Sequence, residues 1–201
     1  RTDEDFDTSI ADEMDKDIKR LEMITARFSS IGSKPIMKVA DVGIVVEGIV
    51  AYLRKRVSSK VTFNITPRYG QDLSAMLNIP LFEWVIENLC KNAVDAMSGV
   101  GKIEIYIRNS PDNTGVVIDV NDTGKGMTSA QMKKVFKAGY TTKKRGWGLG
   151  LTLVQRIVQE YHKGQIYVRK SEVDVGTSFR ISLPKGQGKG AVLEIPRGQA
   201  Q

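Results

Sequence analysis

The apolar positions near the start of the chain form a helical stripe. Between positions 10 and 31, apolar residues follow one another at spacings of three and four, with Asp17 in one slot of the series. The six apolar residues are Ile10, Met14, Leu21, Ile24, Phe28 and Ile31. This spacing predicts a helix that packs against a partner helix, although a helix packed on its own domain would show the same stripe. Gly32 and Pro35 predict its end, and a second helix is predicted over residues 42–56.

Beyond residue 60 the pattern changes to the two-residue period of β-strands. Residues 61–66 alternate apolar and polar side chains, and Pro67 closes this strand. The later patterns predict a helix at 79–97, strands at 102–109 and 115–122, a helix at 149–162 and strands at 165–170 and 177–183. The two strands before residue 123 are joined by a turn sequence and form a hairpin, and Pro184 ends the last strand.

The order of these elements indicates the fold class. Residues 123–148 are rich in Gly, Thr and Lys and have no period, which predicts a long loop of the kind that usually serves function. Because strands and helices do not alternate regularly, we do not expect a doubly wound parallel sheet. We expect an α+β fold, a two-layer sandwich in which helices cover one face of a mixed, mostly antiparallel sheet.

Composition excludes several classes of protein. The 201 residues suffice for one domain with an appendage. One cysteine, Cys90, and one histidine, His162, exclude a disulfide framework and a zinc site built on cysteines or several histidines. No apolar run approaches the roughly 20 residues that cross a bilayer. Because the chain begins with Arg1, we expect a piece of a longer protein, from which a membrane anchor or sensor could be missing.

The charge of the chain is distributed unevenly. The net charge is +7, yet residues 1–17 carry eight acidic and two basic side chains, a net charge of −6. The remaining residues therefore carry +13. A basic body fits a polyanionic ligand such as a nucleotide, a nucleic acid or an acidic partner, although a solvated basic surface would have the same composition.

Two segments carry side chains suited to the two ends of a nucleotide. Asn88 and Asn92 lie four residues apart on a predicted helix, so they share one face, where carboxamides can hold hydrated Mg²⁺ and phosphate oxygens. Asp122 ends a predicted strand and can accept a hydrogen bond from an exocyclic amine, while Gly124 and Gly126 let the backbone approach a flat ring. Taken singly, exposed helix amides and a plain Asp-Gly turn explain these residues equally well.

Two further segments complete the candidate chemistry. Gly146, Gly148 and Gly150 precede or open a helix, where backbone N–H groups can bind an anion, and residues 141–145 supply hydroxyls and positive charge. The segment is not a P-loop, because no Gly-Lys-Ser/Thr follows the glycines. Thr177 on the last strand can assist an aspartate that reads adenine. A basic solvated loop and an ordinary strand would account for the same residues without any ligand.

In combination, the four segments resemble the Bergerat ATP-binding fold of sensor histidine kinases in the GHKL superfamily. Asn88–Met97 is similar to the N box, Asp122–Met127 to the G1 box, Phe136 to the F box and Gly146–Leu151 to the G2 box. The resemblance covers about residues 61–184. The residues of the N-box-like and G2-box-like segments are most similar to those of kinases of the nitrogen-regulation and dicarboxylate-sensor type.

The resemblance implies a division of the chain. Residues 1–33 would be part of a dimerisation and phosphotransfer stem, because residues 19–35 resemble its second helix. Residues 34–184 would be the ATP-binding catalytic domain, and residues 185–201 a disordered tail. The stem would form a homodimer in the full protein.

The resemblance also implies roles for individual residues. Asn92 would bind Mg²⁺, and Asn88 would lie near the phosphates, both as catalytic residues. Asp122 would accept a hydrogen bond from the adenine amine, assisted by Thr177. The implied ATP contacts are Asn88, Lys91, Asn92, Asp95, Asp122, Gly124, Gly126, Met127, Thr141, Thr142, Lys143, Gly146, Gly148, Leu149, Gly150, Leu151 and Thr177. Residues 137–148 would form a mobile lid over the phosphates.

Two departures from the family pattern affect these roles. Many histidine kinases have a basic residue where this chain has Asp95, so Lys91, Lys143 or Arg145 would have to meet the phosphate charge. The helix that bears the phosphoaccepting histidine is missing. His162 ends a predicted helix, and we expect it to be a surface or C-cap histidine rather than the acceptor.

The function implied is that of the catalytic domain of a two-component sensor histidine kinase. Such a domain binds ATP with Mg²⁺, releases ADP and transfers the γ-phosphoryl group to a histidine absent from this chain, and thence to a response regulator receiver domain. A cytoplasmic location is implied, in a full-length protein that could be membrane-anchored. Nucleic acid is not expected as a partner, because the aromatic residues show no base-stacking pattern.

The same fold also supports different functions. A GHKL-type ATPase needs a glutamate four residues before the metal-binding asparagine, where this chain has Asn88. Glu87 is one residue away and projects about 100° around the helix. A protein serine kinase or a non-enzymatic binding module could be built on the same fold as well.

Overall fold

The computed structural model describes residues 36–67, 70–143 and 146–186. The chain divides into two compact units, Arg1–Ile36 and Met37–Gln201, and the description below concerns the second. The predicted N-terminal helix over 10–31 lies outside the described residues, as does the predicted tail from residue 187 onward.

The second unit is built from two sheets and the helices around them. In chain order its elements are β1 (Lys38–Asp41), α1 (Val42–Arg54), β2 (Val61–Pro67), β3 (Ser74–Leu77), α2 (Ile79–Ala96), β4 (Gly101–Asn109), β5 (Gly115–Asp122), α3 (Ser129–Met132), α4 (Gly150–Arg156), a π-helix (Ile157–Tyr161), β6 (Gln165–Glu172) and β7 (Gly176–Pro184). The larger sheet has the order β2-β4-β5-β7-β6, in which β2 and β4 are parallel and the other pairs antiparallel. This arrangement confirms the predicted α+β fold with a mixed, mostly antiparallel sheet.

The core lies between the larger sheet and the helices. Four isoleucines from neighbouring strands stand in one cross-strand row, Ile107, Ile118, Ile181 and Ile166. They are at most 4 % exposed, and burying such a side chain contributes about 1.5–3 kcal/mol. α2 packs against β4 and β5, α1 against β2 and the π-helix against β6. The core therefore fixes α2 above the centre of the sheet.

The opposite face of the sheet contains a cluster of charges. Since successive residues of a strand face opposite sides, Asp119 lies on the other face from Ile118. Arg180 donates to Asp119 from Nε at 2.6 Å and from Nη2 at 2.8 Å, and Arg108 donates from Nη1 at 2.8 Å. Burial raises the pKa of Asp119, but the hydrogen bonds from both arginines outweigh it and hold this pKa below its usual value. The cluster joins β4, β5 and β7.

Side chains before each long helix explain where these helices begin. Asp41 accepts a hydrogen bond from the backbone N–H of Ile44 at 3.1 Å and caps α1. Asn78 does the same for Leu81 at 3.1 Å at the start of α2, where Pro80 fits the first turn. α2 follows the predicted 79–97 to within one residue, whereas α1 ends two residues before the predicted 56.

The structure contains two strands that the sequence pattern did not predict. β1 and β3 pair antiparallel in a small sheet of their own, with Lys38 opposite Leu77. Each strand has four residues, too few to show a two-residue period. Lys185, predicted to begin a disordered tail, forms an isolated bridge with Ala75, and Gly186 donates to the Ser74 carbonyl at 3.1 Å. The contacts with β3 therefore extend two residues past Pro184.

Two predicted segments differ from the structure in detail. The predicted loop at 123–148 contains the short helix α3, which begins with a capping box between Thr128 and Gln131. The single helix predicted at 149–162 is α4 followed by the π-helix. A helical period of 3.6 residues does not distinguish these two helix types over so short a stretch.

Of the two placements expected for His162, the structure shows the helix C-cap and not the surface. It caps the C-terminal end of the π-helix, as predicted, but it is only 2 % exposed. Its Nε2 accepts from the backbone N–H of Asn78 at 3.2 Å, so Nδ1 carries the proton that is donated to the Ile157 carbonyl at 3.0 Å. Burial lowers the pKa of His162, although the hydrogen bond to the Ile157 carbonyl opposes the shift. His162 joins the start of α2 to the end of the π-helix.

Within the part of the chain that the structure describes, no helix has both the length and the apolar composition to cross a membrane.

Candidate functional site

Asn88 on α2 faces the first residue of α4. Its Nδ2 donates to the carbonyl of Trp84, one turn earlier on the helix, at 3.1 Å. This bond directs Oδ1 toward α4, where a Cβ atom on Gly150 would lie 3.1 Å from it. The structure thus brings together residues from two of the four candidate segments, and it leaves little space for a side chain at position 150.

Asn92 and Asp95 lie next to the basic segment that precedes α4. Lys143 Nζ donates to Asn92 Oδ1 at 2.9 Å and to Asp95 Oδ2 at 2.5 Å. The two acceptors are three residues apart and share one face of α2. All three side chains were candidates from the sequence, and the structure places them in direct contact.

The other candidate cations are placed differently. Lys91 Nζ forms an ion pair with Glu87 Oε1 at 2.6 Å, one turn back along α2, and its side chain is 59 % exposed. Arg145 lies outside the described residues. Of the three cations considered for the phosphates, Lys143 is therefore the one shown in contact with Asn92.

Asp122 is a buried carboxylate at the end of β5. It is 8 % exposed, and its Oδ1 accepts from the backbone N–H of Gly124 at 2.9 Å. Burial raises the pKa of Asp122, and the backbone N–H groups of Gly124 and Thr177 oppose that shift. The loop after Asp122 is attached to α2 by a hydrogen bond of 3.0 Å from the Lys125 N–H to the Ala96 carbonyl. Asp122 is therefore positioned beside the end of α2.

Thr177 belongs to a hydroxyl network that includes a residue not predicted from the sequence. Its Oγ1 lies 2.9 Å from Ser171 Oγ, which donates to the Gly176 carbonyl at 3.1 Å and accepts from the Met127 N–H at 2.8 Å. Ser171 stands opposite Thr177 in the β6–β7 pairing. The register of this hairpin was the signal that could have identified Ser171.

Gly126 is required by the close approach of β6. Its φ is +64°, and a Cβ atom there would lie 1.8 Å from the Glu172 carbonyl oxygen. Met127 follows it and donates its N–H to Ser171. The glycine of the G1-like segment therefore packs this loop against the edge of the sheet.

The predicted lid segment is attached at its base. The N–H of Gly139 donates to the carbonyl of Gly148 at 3.2 Å. Gly148 has a φ of +65°, and a Cβ atom there would lie 2.4 Å from the Gly139 carbonyl carbon. Between them, Thr141 Oγ1 accepts from the Lys143 N–H at 3.1 Å, and the Trp147 side chain is 55 % exposed.

The remaining candidates of this segment differ in exposure. Thr141 and Thr142 are exposed, while Gly146, Leu149 and Leu151 are half-buried. Leu149 is the N-cap residue of α4, and its side chain makes no capping hydrogen bond. The backbone N–H groups of the first turn therefore receive no hydrogen bond from this side chain.

Phe136 anchors the chain before the lid segment. Its ring meets Phe179 of β7 edge-on, with ring centroids 6.2 Å apart and an angle of 85°. Thr152 of α4 donates from Oγ1 to the Phe136 carbonyl at 3.1 Å. The F-box-like residue thus links the sheet to α4.

Together these contacts form a site with two chemically different ends. One end has the buried acceptor Asp122, and the other has the oxygen atoms of Asn92 and Asp95 with a cation between them. In the described ranges, no cluster of three or more His, Cys, Asp or Glu side chains could hold a metal ion. A magnesium ion would therefore need the phosphates of a ligand besides Asn92, which is the usual situation for Mg²⁺. The ammonium group on Asn92 and Asp95 shows that these oxygens fit a cation.

Comparison with known proteins identifies a family. Residues 78–187 match the family described as "Histidine kinase-, DNA gyrase B-, and HSP90-like ATPase". The chain is similar to sporulation kinase E of Bacillus subtilis, with 42 % identity over 103 residues that cover 51 % of this chain and 14 % of that protein. It is also similar to the sensor kinase CckA of Brucella abortus, with 33 % identity over 164 residues that cover 74 % of this chain and 17 % of that protein. The chain thus spans less than a fifth of the length of either relative.

The fold also resembles a solved kinase structure. The structure of histidine kinase ThkA in complex with the response regulator protein TrrA matches with a TM-score of 0.67 and 20 % identity. The match covers 85 % of this chain and 49 % of that one. At this identity the similarity shows the fold, which agrees with the expected one.

Proposed function

The chain belongs to the family of histidine kinase-, DNA gyrase B- and HSP90-like ATPases, and on this basis we propose that it is the ATP-binding catalytic domain of a two-component sensor histidine kinase. The observation that carries the proposal is the meeting of three of the four candidate segments at α2. Asn88 faces Gly150, Asn92 contacts Lys143, and the loop after Asp122 is bonded to Ala96. The named relatives, a sporulation kinase and a sensor kinase, support a kinase rather than another member of the family.

In this proposal the protein side chains position an adenine nucleotide and balance its charge. Asp122 accepts a hydrogen bond from the 6-amino group of adenine, and Thr177 supports it through its backbone N–H. Asn92 would hold Mg²⁺, which would supply positive charge against the phosphates when bound. Asn88, on the same face of α2, orients the phosphates near Gly150. Positioning and electrostatic stabilisation are the main contributions of a protein to phosphoryl transfer.

The surroundings of Glu87 favour transfer to a protein over hydrolysis. Hydrolysis needs a carboxylate that activates water near the phosphates. Glu87 forms an ion pair with Lys91 along α2, and the position four residues before Asn92 is occupied by Asn88, whose amide donates to Trp84. Neither group is arranged as a base for water.

The finer parts of the proposal concern partners and placement. The response regulator in the ThkA complex supports a receiver domain as the onward acceptor of the phosphoryl group. The heptad-like spacing over residues 10–31 supports a homodimer, with residues 1–33 as part of the stem and 34–184 as the catalytic domain. The residues of the N-box-like and G2-box-like segments support a kinase of the nitrogen-regulation and dicarboxylate-sensor type. We further place this domain in the cytoplasm, whether or not the full protein is anchored in a membrane.

Calorimetric titration of the chain with ATP and with GTP, each with and without Mg²⁺, tests the proposal. We expect ATP to bind more tightly than GTP, because Asp122 would face a carbonyl oxygen of guanine in place of an amine. Asn92→Ala should abolish the effect of Mg²⁺ on ATP binding and leave the circular dichroism spectrum unchanged. Asn64→Ala, an exposed asparagine on β2, is the matched control. Equal affinities for ATP and GTP, or no binding at all, would contradict the proposal.

A further inference from the structure

Lys143 places a positive charge where the proposed nucleotide site needs a metal ion. Its Nζ contacts Asn92 Oδ1 at 2.9 Å and Asp95 Oδ2 at 2.5 Å. Asn92 is the residue to which the proposed function assigns Mg²⁺. The ammonium group therefore contacts the oxygen atom that would bind the metal.

The backbone next to Lys143 is held by hydrogen bonds that do not involve its ammonium group. Lys143 donates its own N–H to Thr141 Oγ1 at 3.1 Å, which shapes the turn that presents its side chain. The base of the segment is fixed separately by the Gly139–Gly148 hydrogen bond. The ion pair with Asp95 is solvent-accessible, with side-chain exposures of 44 % for Lys143 and 56 % for Asp95. Loss of this contact leaves the base of the segment in place.

Mg²⁺ and the Lys143 ammonium cannot share Asn92 without electrostatic repulsion. Magnesium binds oxygen ligands at about 2.0–2.1 Å. With Nζ at 2.9 Å from the same oxygen, the two cations would be at most about 5 Å apart. Like charges at this separation repel, and the carboxylate of Asp95 cannot compensate both.

We propose that Lys143 is a tethered cation that competes with Mg²⁺ for Asn92, and that Asp95 is the residue that holds it there. The inference rests on the proposed function, because it concerns the same site. In the nucleotide-free protein the tether is formed. Binding of Mg²⁺ with a nucleotide releases Lys143 from Asn92, and the phosphates then offer it other oxygen atoms. Asp95 acts as a positioning residue, whose effect on metal binding is exerted through Lys143.

The tether should have a modest effect, because both side chains are partly exposed. Exposed ion pairs contribute from almost nothing to about a fivefold change in an equilibrium constant. We define the magnesium coupling ratio as the affinity for a non-hydrolysable ATP analogue with Mg²⁺ divided by that without Mg²⁺. Since the tether opposes the magnesium-bound form alone, its removal should raise this ratio about two- to fivefold.

The first arm of the test detects the contact itself. A carbodiimide joins a carboxylate to an amine only where they touch, so treatment of the nucleotide-free chain should link Asp95 to Lys143, as seen by peptide mass spectrometry. Mg²⁺ with the ATP analogue should suppress this link. The Lys102–Glu104 ion pair on β4, with a distance of 2.6 Å, is the internal control and should link equally in both states. Absence of the Asp95–Lys143 link in the free chain, or its persistence in the loaded chain, would overturn the tether.

The second arm measures the coupling ratio of Asp95→Ala by calorimetry. Alanine is a good helix former, so the exchange should preserve α2. The tether predicts a higher ratio than in the unchanged chain. A lower ratio would make Asp95 a metal ligand, and an unchanged ratio would make the contact irrelevant; either result overturns the inference while nucleotide binding stands. Lys134→Met, an exposed lysine that contributes no side chain to the site, should leave the ratio unchanged. If the unchanged chain binds no nucleotide, the proposed function and this inference fall together.

Discussion

At the scale of single residues, Asp122 combines burial with the charge that the proposed recognition of adenine requires. Its carboxylate accepts one hydrogen bond from Gly124, and burial raises its pKa above the ordinary value of 3.8. A carboxyl group with a raised pKa in the folded state contributes stability below its unfolded pKa, and this contribution is lost as the pH rises through the folded pKa. Ionisation of Asp122 at neutral pH therefore lowers the free energy of unfolding.

Replacement of Asp122 by asparagine should separate binding from stability. We expect Asp122→Asn to weaken ATP binding by roughly 1.5–3 kcal/mol, the range for a hydrogen bond to a charged group. The melting temperature of the free variant at neutral pH should not fall, because the variant buries no charge. Calorimetry and thermal unfolding measure the two effects, with Asp174→Asn in the β6–β7 turn as the control.

The pH dependence gives a second check on the same residue. As the pH falls through the raised pKa of Asp122, the carboxylate gains a proton and loses its capacity to accept from the adenine amine. ATP affinity should therefore begin to fall at a higher pH than an ordinary aspartate would cause, and Asp122→Asn should lack this step. A wild-type affinity that stays constant down to pH 4 would contradict the role of Asp122.

At the scale of secondary-structure elements, the length of each element decided whether the sequence predicted it. α2 has 18 residues, so its apolar period is repeated several times and its bounds were predicted to within one residue. β1 and β3 have four residues each, and their pairing depends on contacts distant in the sequence. α3 depends on the local capping box of Thr128 and Gln131, which a search for apolar periods does not detect.

The charged cluster on the outer face of the sheet makes a prediction for acid stability. Because hydrogen bonds from Arg180 and Arg108 hold the pKa of Asp119 below its usual value, this group contributes stability above its unfolded pKa. That stability is lost as the pH falls through the lower, folded pKa. We expect Asp119→Asn to reduce the free energy of unfolding at pH 7 by about 1.5–3 kcal/mol.

Urea unfolding at pH 7 and at pH 3 measures this effect. The difference between Asp119→Asn and the unchanged chain should shrink at the lower pH, since the unfolded form of the unchanged chain takes up a proton at Asp119 below the ordinary pKa of 3.8. Glu104→Gln on β4 is the control, because Glu104 pairs with the exposed Lys102. An equal loss of stability at both pH values would show that the charge of Asp119 does not stabilise the sheet.

The segment before α4 should report nucleotide binding through Trp147. Its side chain is 55 % exposed and lies next to Gly148, the hinge-like glycine with a φ of +65°. We expect the fluorescence of Trp147 to shift when a non-hydrolysable ATP analogue is added. The measurement uses a Trp84→Phe background, in which the backbone carbonyl that Asn88 contacts is kept. A silent Trp147 in a chain that binds the analogue by calorimetry would exclude movement of this segment.

At the scale of the whole molecule, the sequence predicted the candidate segments but not which of their atoms meet. The sequence alone identifies Asn92, Asp122 and Gly150 as candidates, because their residue types and their sequence neighbours are enough to select them. The role of Ser171 depends on the register of β6 with β7, and the contact between Lys143 and Asp95 spans 48 residues. Such contacts arise from the packing of α2 on the sheet, which no local pattern contains.

The same packing buries His162 and places it away from the proposed site of phosphoryl transfer. It is the one histidine of the sequence, it is 2 % exposed, and both ring nitrogens are engaged with backbone groups of Asn78 and Ile157. It follows α4 and the π-helix, at the other end from Gly150. The helical stretch between them is about 18 Å long at 1.5 Å per residue.

We therefore predict that this chain binds ATP without phosphorylating itself. In-line transfer needs the reacting atoms within about 3–3.5 Å, and the ring of His162 is buried at the far end of the helical stretch from Gly150. Incubation with γ-labelled ATP should leave no acid-labile label on the chain. Addition of a separate four-helix stem that bears an acceptor histidine should produce label on the stem, because the proposed function assigns the catalytic roles to Asn88 and Asn92 of this chain. Acid-labile label on the isolated chain that disappears in His162→Gln would overturn both the location of the site and the assignment of a catalytic domain that acts on a histidine elsewhere.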